Sequence, residues 1–274
     1  MKPITEKEYT QLAEYIRNNY GINLKEEKKT LVTGRLNNVL IQYGFESFTE
    51  YYDFLMRDKS GEGVKTLLNK ITTNHTFFMR EVNHFYYFRD YTLPMLKEKV
   101  TDKDLRIWSA GCSSGEEPYT LAMLIDEYLG KDALLWDAKI LATDISSFAL
   151  DKAKKGIYTN EEVHPLPPAW KLNYLKKMDH NHFVITDKIK KEIIYRKFNL
   201  MEETFPFKRK FHVIFCRNVM IYFDVNTKRN LIQKFYESLE YGGYLFIGHS
   251  ETIDRDESPF KYVIPSVYRK GEKI

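Results

Sequence analysis

Two acids stand directly after a glycine-bearing turn: Leu105 to Met123 reads LRIWSAGCSSGEEPYTLAM, with Glu116 and Glu117 following Gly115. A short apolar run (Leu105, Ile107, Trp108) gives way to small residues from Ala110 to Gly115, and a helical pattern begins. Strand, small-residue turn and helix start mark the nucleotide-binding corner of open α/β sheets, where glycines such as Gly111 let the backbone approach a ligand closely. A plain strand-to-helix turn has the same pattern. Carboxylates in a first helical turn suit the macrodipole without any ligand. They also stand where a diphosphate would lie, so they would repel NAD or ATP and accept a ligand with cationic centres. S-adenosylmethionine (SAM) joins adenosine to an ammonium and a sulfonium and has no phosphate.

Other residues able to do chemistry fall at the ends of apolar runs. Lys139 to Asp144 (KILATD) reads as a second parallel strand closed by an acid. At that place Asp144 either accepts hydrogen bonds from ribose hydroxyls or caps the helical run from Ser146 to Lys154. Phe211 to Phe215 is a short buried strand followed by Cys216, Arg217 and Asn218, where open sheets bind ligands. Asn74 to Glu81 reads NHTFFMRE. Asn74 or Thr76 can cap a helix that buries Phe77, Phe78 and Phe85, which leaves Arg80 either paired with an acid or functional. The two cysteines, Cys112 and Cys216, close apolar runs and suit packing; two are too few for a disulfide framework or a zinc cage. His164 is isolated, and His180 and His182 have no further ligand in their pattern, so no metal is expected.

The elements that must position these residues follow from periodicity. Thr5 to Leu68 is helical throughout: Tyr9, Leu12 and Ile16 mark a first helix, Leu31 to Leu40 a second, Phe48 to Leu55 a third and Val64 to Leu68 a fourth. Lys25, Lys28, Lys29 and Arg35 give the second a basic side, which is either a solvated face or a dock for an acidic helical surface. Residues 71–90 are expected to link this bundle to the rest, and residues 91–274 to form an α/β domain. The stretches Tyr174 to Asp187 and Lys190 to Asn199 suggest a small antiparallel excursion, about residues 172–198. Lys228 to Leu239 is helical with Gly242-Gly243 as its stop, and Tyr262 to Arg269 closes the chain as an antiparallel partner.

With 274 residues, 43% hydrophobic and 29% charged, the chain can bury a full α/β core with a second small domain. No run approaches the roughly 20 apolar residues of a membrane span, and MKPITEKEY lacks a signal-peptide core, so a cytoplasmic location is expected. A net charge of +4 is mild and does not mark a nucleic-acid binder. Nothing in the pattern demands more than a monomer.

Taken together, NHTFFMRE, WSAGCSSGEEPYTLAM, ATDIS, FCRNVMIYFD and LFIGHSE, in this order and behind a helical N-terminal region, resemble the chemotaxis receptor methyltransferases of the CheR family. The resemblance runs from Ile4 to Tyr268. It implies a SAM-dependent enzyme that esterifies glutamate side chains on bacterial chemoreceptors. The implied fold has a small all-α domain, a seven-stranded Rossmann-like methyltransferase sheet and an inserted antiparallel β-subdomain. Carried over by position, it implies that Asn74, Thr76 and Arg80 serve cofactor and active site. Glu116 would meet the methionyl end, Asp144 the ribose, and Asn199 and Leu200 the adenine. Arg217 and Asn218 would line the cofactor, and Tyr222 would be the active-site tyrosine. In one respect the sequence departs from the pattern. Some members grip a receptor's C-terminal peptide through a glycine-containing loop, whereas Lys177 to His182 (KMDHNH) is shorter and has no glycine. The implied contact is therefore between the basic N-terminal helix and the acidic methylation helices.

A glutamate carboxylate is already ionised near neutrality, with a reference pKa of about 4.3, so methylating it needs no general base. The work is alignment of oxygen, methyl carbon and sulfur, for which Arg80 and Tyr222 are the expected catalytic residues. Two other readings compete. A methyltransferase acting on base amino groups would often carry Asn-Pro-Pro-aromatic where this chain has Cys216 to Tyr222. A non-catalytic SAM sensor would have no need of Arg80, Asp144 and Tyr222 together.

Overall fold

The computed structural model describes residues 2–72 and 74–272. Four helices open the chain: α1 (Glu6–Tyr20), α2 (Lys29–Tyr43), α3 (Phe48–Arg57) and α4 (Glu62–Ile71). Thr5 and Glu8 form a reciprocal capping box that starts α1, and Gly21 at φ 70° ends it. Helical spacing puts Tyr9, Leu12 and Ile16 on one side of α1, buried against Val32, Leu36 and Leu40 of α2 and Tyr51 and Leu55 of α3. This bundle has its own core.

The helix that Asn74 or Thr76 could have capped does not begin there. Residues 78–82 turn tightly, with Met79 and Glu81 at φ 62° and 55°, and the helical run α5 (Asn83–Tyr87), a π turn and α6 (Leu93–Lys99) begins after them. The main sheet holds β1 (Ile107–Ala110), β2 (Ile140–Asp144), β6 (Ile193–Lys197), β7 (Phe211–Cys216), β8 (Leu239–Ile247), β9 (Lys261–Ile264) and β10 (Val267–Arg269). A separate antiparallel sheet holds β3 (Ile157–Thr159), β4 (Leu175–Lys177) and β5 (His182–Ile185). Helices α7 (Glu116–Leu129), α8 (Ser147–Lys155), α9 (Pro168–Tyr174), α10 (Asp187–Lys190) and α11 (Val225–Ser238) make the crossovers and the insert.

Strand order in the main sheet is β6-β2-β1-β7-β8-β10-β9, parallel as far as β8 and antiparallel at β10 and β9. Alternation along each strand feeds two cores: Ile107, Val213, Phe215 and Phe246 face one, Trp108, Ile214 and Leu245 the other. From β1 the chain winds outward to β2 and β6, then crosses back to place β7 on the other side of β1. The switch point is therefore between β1 and β7, where such sheets open a crevice at the strands' carboxyl ends.

Two local expectations are corrected. Residues 193–197 belong to the main sheet as its outer parallel strand, paired from Ile140↔Ile193 to Asp144↔Lys197, and Ile157–Thr159 supplies the third strand of the small sheet. A half-exposed strand alternates in the same way whether its partner is parallel or antiparallel, so periodicity could not separate the two. Gly242-Gly243 do not stop α11, which ends at Ser238; they sit in β8, where the register against β7 shifts. Among the described residues no helix is long and apolar enough to cross a membrane.

Candidate active site

A cleft opens at the carboxyl ends of β1, β2 and β7. Its walls come from the turn after β1 (Gly111 to Ser113), the end of β2 (Thr143, Asp144) and the segment after β7 (Arg217 to Val219). The N-terminal bundle covers it with Tyr20, Ile22, Ile71 and Thr72. Gly111 at φ 83° and Ser113 at φ 49° fold the β1 turn back on β2, where Gly111 and Cys112 amides donate to the Thr143 carbonyl at 2.8 and 2.9 Å. A β-carbon on Gly111 would collide with Val219, so this close approach of two loops requires glycine.

Asp144 stands at the centre of this corner. Its carboxylate accepts the Ser113 amide at 2.8 Å on one oxygen and the Ser146 amide at 2.8 Å on the other. Each oxygen keeps a lone pair for a ligand hydroxyl. Burial pushes the carboxyl above its ordinary value, against the opposing pull of those amides. Ser146, rather than Asp144, is the cap of α8, accepting from the Ala149 amide. Nearby, Glu117 lines the cleft, held by the Ser109 hydroxyl at 2.7 Å and Arg217 Nη1 at 3.2 Å. Its carboxyl is also raised by burial, with Arg217 acting the other way.

The structure does not bring Glu116 to the cleft. Its carboxylate turns back to the Ser114 hydroxyl at 2.8 and 2.9 Å and is 2% exposed. Adjacent residues of a helix point about 100° apart, so the two acids meet different surroundings. The Ser109 hydroxyl of β1 and Arg217 hold Glu117 at the cleft.

Arg217 is gripped from several sides. Glu81 Oε2 lies 3.1 Å from its Nη2, Glu117 holds Nη1, and Nη2 also donates to the carbonyl of Arg80. The guanidinium rests 5.1 Å from the Phe85 ring centroid. The other oxygen of Glu81 accepts from Asn218 Nδ2 at 3.1 Å and from the His249 amide at 3.2 Å. Burial works to raise the Glu81 carboxyl, but Arg217 and these donors outweigh it and hold it below the ordinary value. Glu251, at the end of LFIGHSE, accepts the amides of Asn218, Ile221 and Gly248 at 2.8, 3.1 and 2.6 Å. It ties the segment after β7 to the end of β8.

Glu81, His84 and His249 each place one possible metal-ligating atom within 4.8 Å of the others. The carboxylate is already committed to Arg217, Asn218 and the His249 amide, and a guanidinium adjoins it, which opposes a second cation there. His84 stays neutral, its pKa drawn down to about 3 by burial and by Arg217.

By contrast, Arg80 lines the cleft with a guanidinium that, among the described residues, donates only to the His75 carbonyl, at 2.6 Å, and lies 5.9 Å from the Phe77 ring centroid. It has no ion pair among the described residues. Asn74 and Thr76 line the same wall, and the Asn74 carbonyl accepts from Ser113 Oγ at 3.1 Å. At the far end Asn199 and Leu200 line the cleft beside Phe198; the Asn199 amide donates to the Asn19 carbonyl of α1 at 2.7 Å. Tyr222 lines it too, and its carbonyl accepts from Asn23 at 2.8 Å. Ile22 and Phe223 form an antiparallel bridge, so bundle and sheet share this wall.

Of the residues named from sequence, Asn74, Thr76, Arg80, Gly111, Asp144, Asn199, Leu200, Arg217, Asn218 and Tyr222 all line one cleft. The resemblance assigned the methionyl end to Glu116 and not to its neighbour Glu117, and Glu81, Glu251 and the bundle residues Tyr20 and Ile22 had no assigned role in the sequence. Glu81, Glu117 and Glu251 are acids within the recognised motifs, and that placement was the available signal.

A cleft at the switch point, with one acid at the end of β2 and a second at the start of α7, suits a cofactor that has ribose hydroxyls and a cationic end, as SAM-dependent methyltransferases bind. The model of the CheR methyltransferase SAM-binding domain matches residues 74–268, and that of the CheR all-alpha domain matches residues 7–72. The chain belongs to the CheR family. It is 46% identical to the chemotaxis protein methyltransferase of Borreliella burgdorferi over 98% of this chain and 95% of that one. It is 38% identical to a probable chemotaxis protein methyltransferase of Rhizobium etli, covering 85% and 88% of the two. To the chemotaxis protein methyltransferase of Escherichia coli it is 31% identical, covering 97% and 91%.

One consequence concerns the turn after β1. Gly111→Ala should lower stability by about 1–2 kcal/mol, since the left-handed backbone disfavours a β-carbon. Displacement of Val219 should also weaken binding of S-adenosylhomocysteine (SAH), the demethylated cofactor, by about tenfold. Thermal unfolding and calorimetric titration measure the two effects.

Proposed function

We propose that the protein transfers the methyl group of SAM to glutamate side-chain carboxylates of bacterial chemoreceptors, making glutamyl methyl esters in the cytoplasm. When bound, SAM supplies an electrophilic methyl on a sulfonium; an oxygen–carbon bond forms, the sulfur–carbon bond breaks, and ester and neutral thioether result. Asp144 is assigned the ribose hydroxyls, and Asn199 with Leu200 the adenine. Glu117, in place of Glu116, is assigned the ammonium of the methionyl end. Asn74, Thr76, Gly111, Arg217 and Asn218 frame that end, and Arg80 with Tyr222 aligns the acceptor carboxylate. The observation that carries this reading is one guanidinium with open donors, Arg80, in a cleft whose other arginine is neutralised by two carboxylates.

Residues 1–70 are assigned to receptor recognition, 71–90 to the active-site segment and 91–274 to cofactor binding and transfer. On the basic side of the bundle, Lys29 is tied to Glu6 and Glu26, and Arg35 to the carbonyls of Lys70 and Ile71. Lys25 and Lys28 remain exposed and without ion pairs among the described residues. The acidic methylation helices of a receptor suit that side by charge. In the β4–β5 loop Asp179 closes a tight turn by accepting the amides of Asn181 and His182 at 2.7 and 2.8 Å. That glycine-free turn supports recognition without a C-terminal peptide tether, and the protein is assigned to act as a monomer.

Incubation with methyl-labelled SAM and chemoreceptor-containing membranes tests the reaction. Receptor-bound label that mild alkali releases as methanol is the expected result. Alkali-stable label would identify a different acceptor atom and overturn the reading.

A further inference from the structure

We infer that Glu81 is a positioning residue for methyl transfer: by holding Arg217 it fixes the main-chain carbonyl of Arg80, and with it the direction of the Arg80 guanidinium. This rests on the assignment of Arg80 to the acceptor.

Glu81 does not line the cleft, so any effect it has on the reaction must pass through a neighbour. Its four side-chain hydrogen bonds come from two distant parts of the chain, residues 217–218 and residue 249. Arg217 Nη2 and Nε approach one oxygen at 3.1 and 3.4 Å, while Asn218 and the His249 amide approach the other. Arg217 in turn donates to the Arg80 carbonyl. With a side chain only 3% exposed, Arg217 has little freedom to find other partners.

The turn that carries Arg80 would not hold itself. Met79 and Glu81, on either side, both take left-handed backbone conformations, at φ 62° and 55°. Such conformations are costly for residues with a β-carbon and persist where surrounding contacts over-determine them. Within the turn, the Arg80 amide makes a long bond, 3.3 Å, to the Phe77 carbonyl. Beside the buried Phe78 ring and the His84 amide bond to the Glu81 carbonyl, the contacts that over-determine it are those of Arg217 and the Glu81 side chain. A charged pair inside the protein thus sets the geometry of an exposed-side guanidinium that meets substrate.

The test is a double-mutant cycle between Glu81→Gln and Arg80→Ala, read as kcat with labelled SAM and receptor membranes, SAH affinity and melting temperature. Glutamine keeps an oxygen for Asn218 and the His249 amide but loses the charge that holds Arg217. Glu81→Gln should lower kcat about tenfold through misalignment, with SAH affinity within about threefold of the parent. In the Arg80→Ala background the same change should cost no more than about twofold, because the residue it acts through is gone. Equal losses in both backgrounds, or an unchanged kcat in the parent background, would overturn the inference while leaving Arg80 in place. Near-normal turnover by Arg80→Ala alone would instead overturn the assignment of Arg80. If Glu81→Gln fails to fold, Glu81→Asp keeps the charge and moves Arg217; its loss of kcat should likewise vanish without Arg80, and persistence of that loss would refute the inference.

Discussion

Arg80→Ala should lower kcat for methyl transfer by about 100- to 1,000-fold, since alignment of reacting atoms is the main work of the site and modest misplacement is costly. The melting temperature should change little. Arg80 makes one side-chain hydrogen bond, to the His75 carbonyl, and no ion pair among the described residues, so its removal leaves no buried charge uncompensated. Substitutions of that kind cost about 0.5 kcal/mol or less. Removing Arg217 would be a different experiment: it would strand Glu81 and Glu117 together in the interior. Arg80 is also a compromise. It orients the acceptor anion, yet the anion loses its charge in the reaction, so binding it too tightly would slow transfer. Arg80→Lys, which keeps the charge but not the planar fork, should fall between parent and alanine variant. Steady-state kinetics with labelled SAM decide this, and near-parental turnover by the alanine variant would remove Arg80 from the reaction.

Asp144→Ala should weaken SAH binding by about 100-fold or more, since hydrogen bonds to a charged group contribute about 1.5–3 kcal/mol each and two ribose hydroxyls lose their acceptor. Here stability falls as well. The amides of Ser113 and Ser146 lose their acceptors in a buried corner, and relief from burying a carboxylate offsets only part of that. The sign with pH follows from the raised carboxyl. Folding favours its protonated form, so the carboxyl's contribution to stability declines as pH rises above the ordinary carboxylate value of about 3.9. The stability lost on going to alanine should therefore be smaller at pH 7 than at pH 4, as thermal unfolding at the two pH values would show. Calorimetry provides the affinity; a value within threefold of the parent would place the ribose elsewhere.

The sequence alone determined the features that arise over short distances. A strand that ends in small residues and turns into a helix has few ways to fold, so the Gly111 corner was legible, as were the strand-end positions of Asp144 and Arg217. The four-helix bundle was legible because helical spacing and glycine stops act within a few turns. What tertiary structure decided involves choices that local pattern leaves degenerate. Glu116 and Glu117 are equivalent in sequence, and only their tertiary partners, Ser109 and Arg217 for one and Ser114 for the other, placed Glu117 at the cleft. Residues 193–197 alternate like any half-buried strand, and only the sheet order placed them beside β2. The clamp of Glu81, Arg217, Asn218 and His249 joins residues up to 168 positions apart, and no spacing rule reaches that far. Propensity and capping act between neighbours along the chain, whereas a buried charge must find its partner wherever folding brings one.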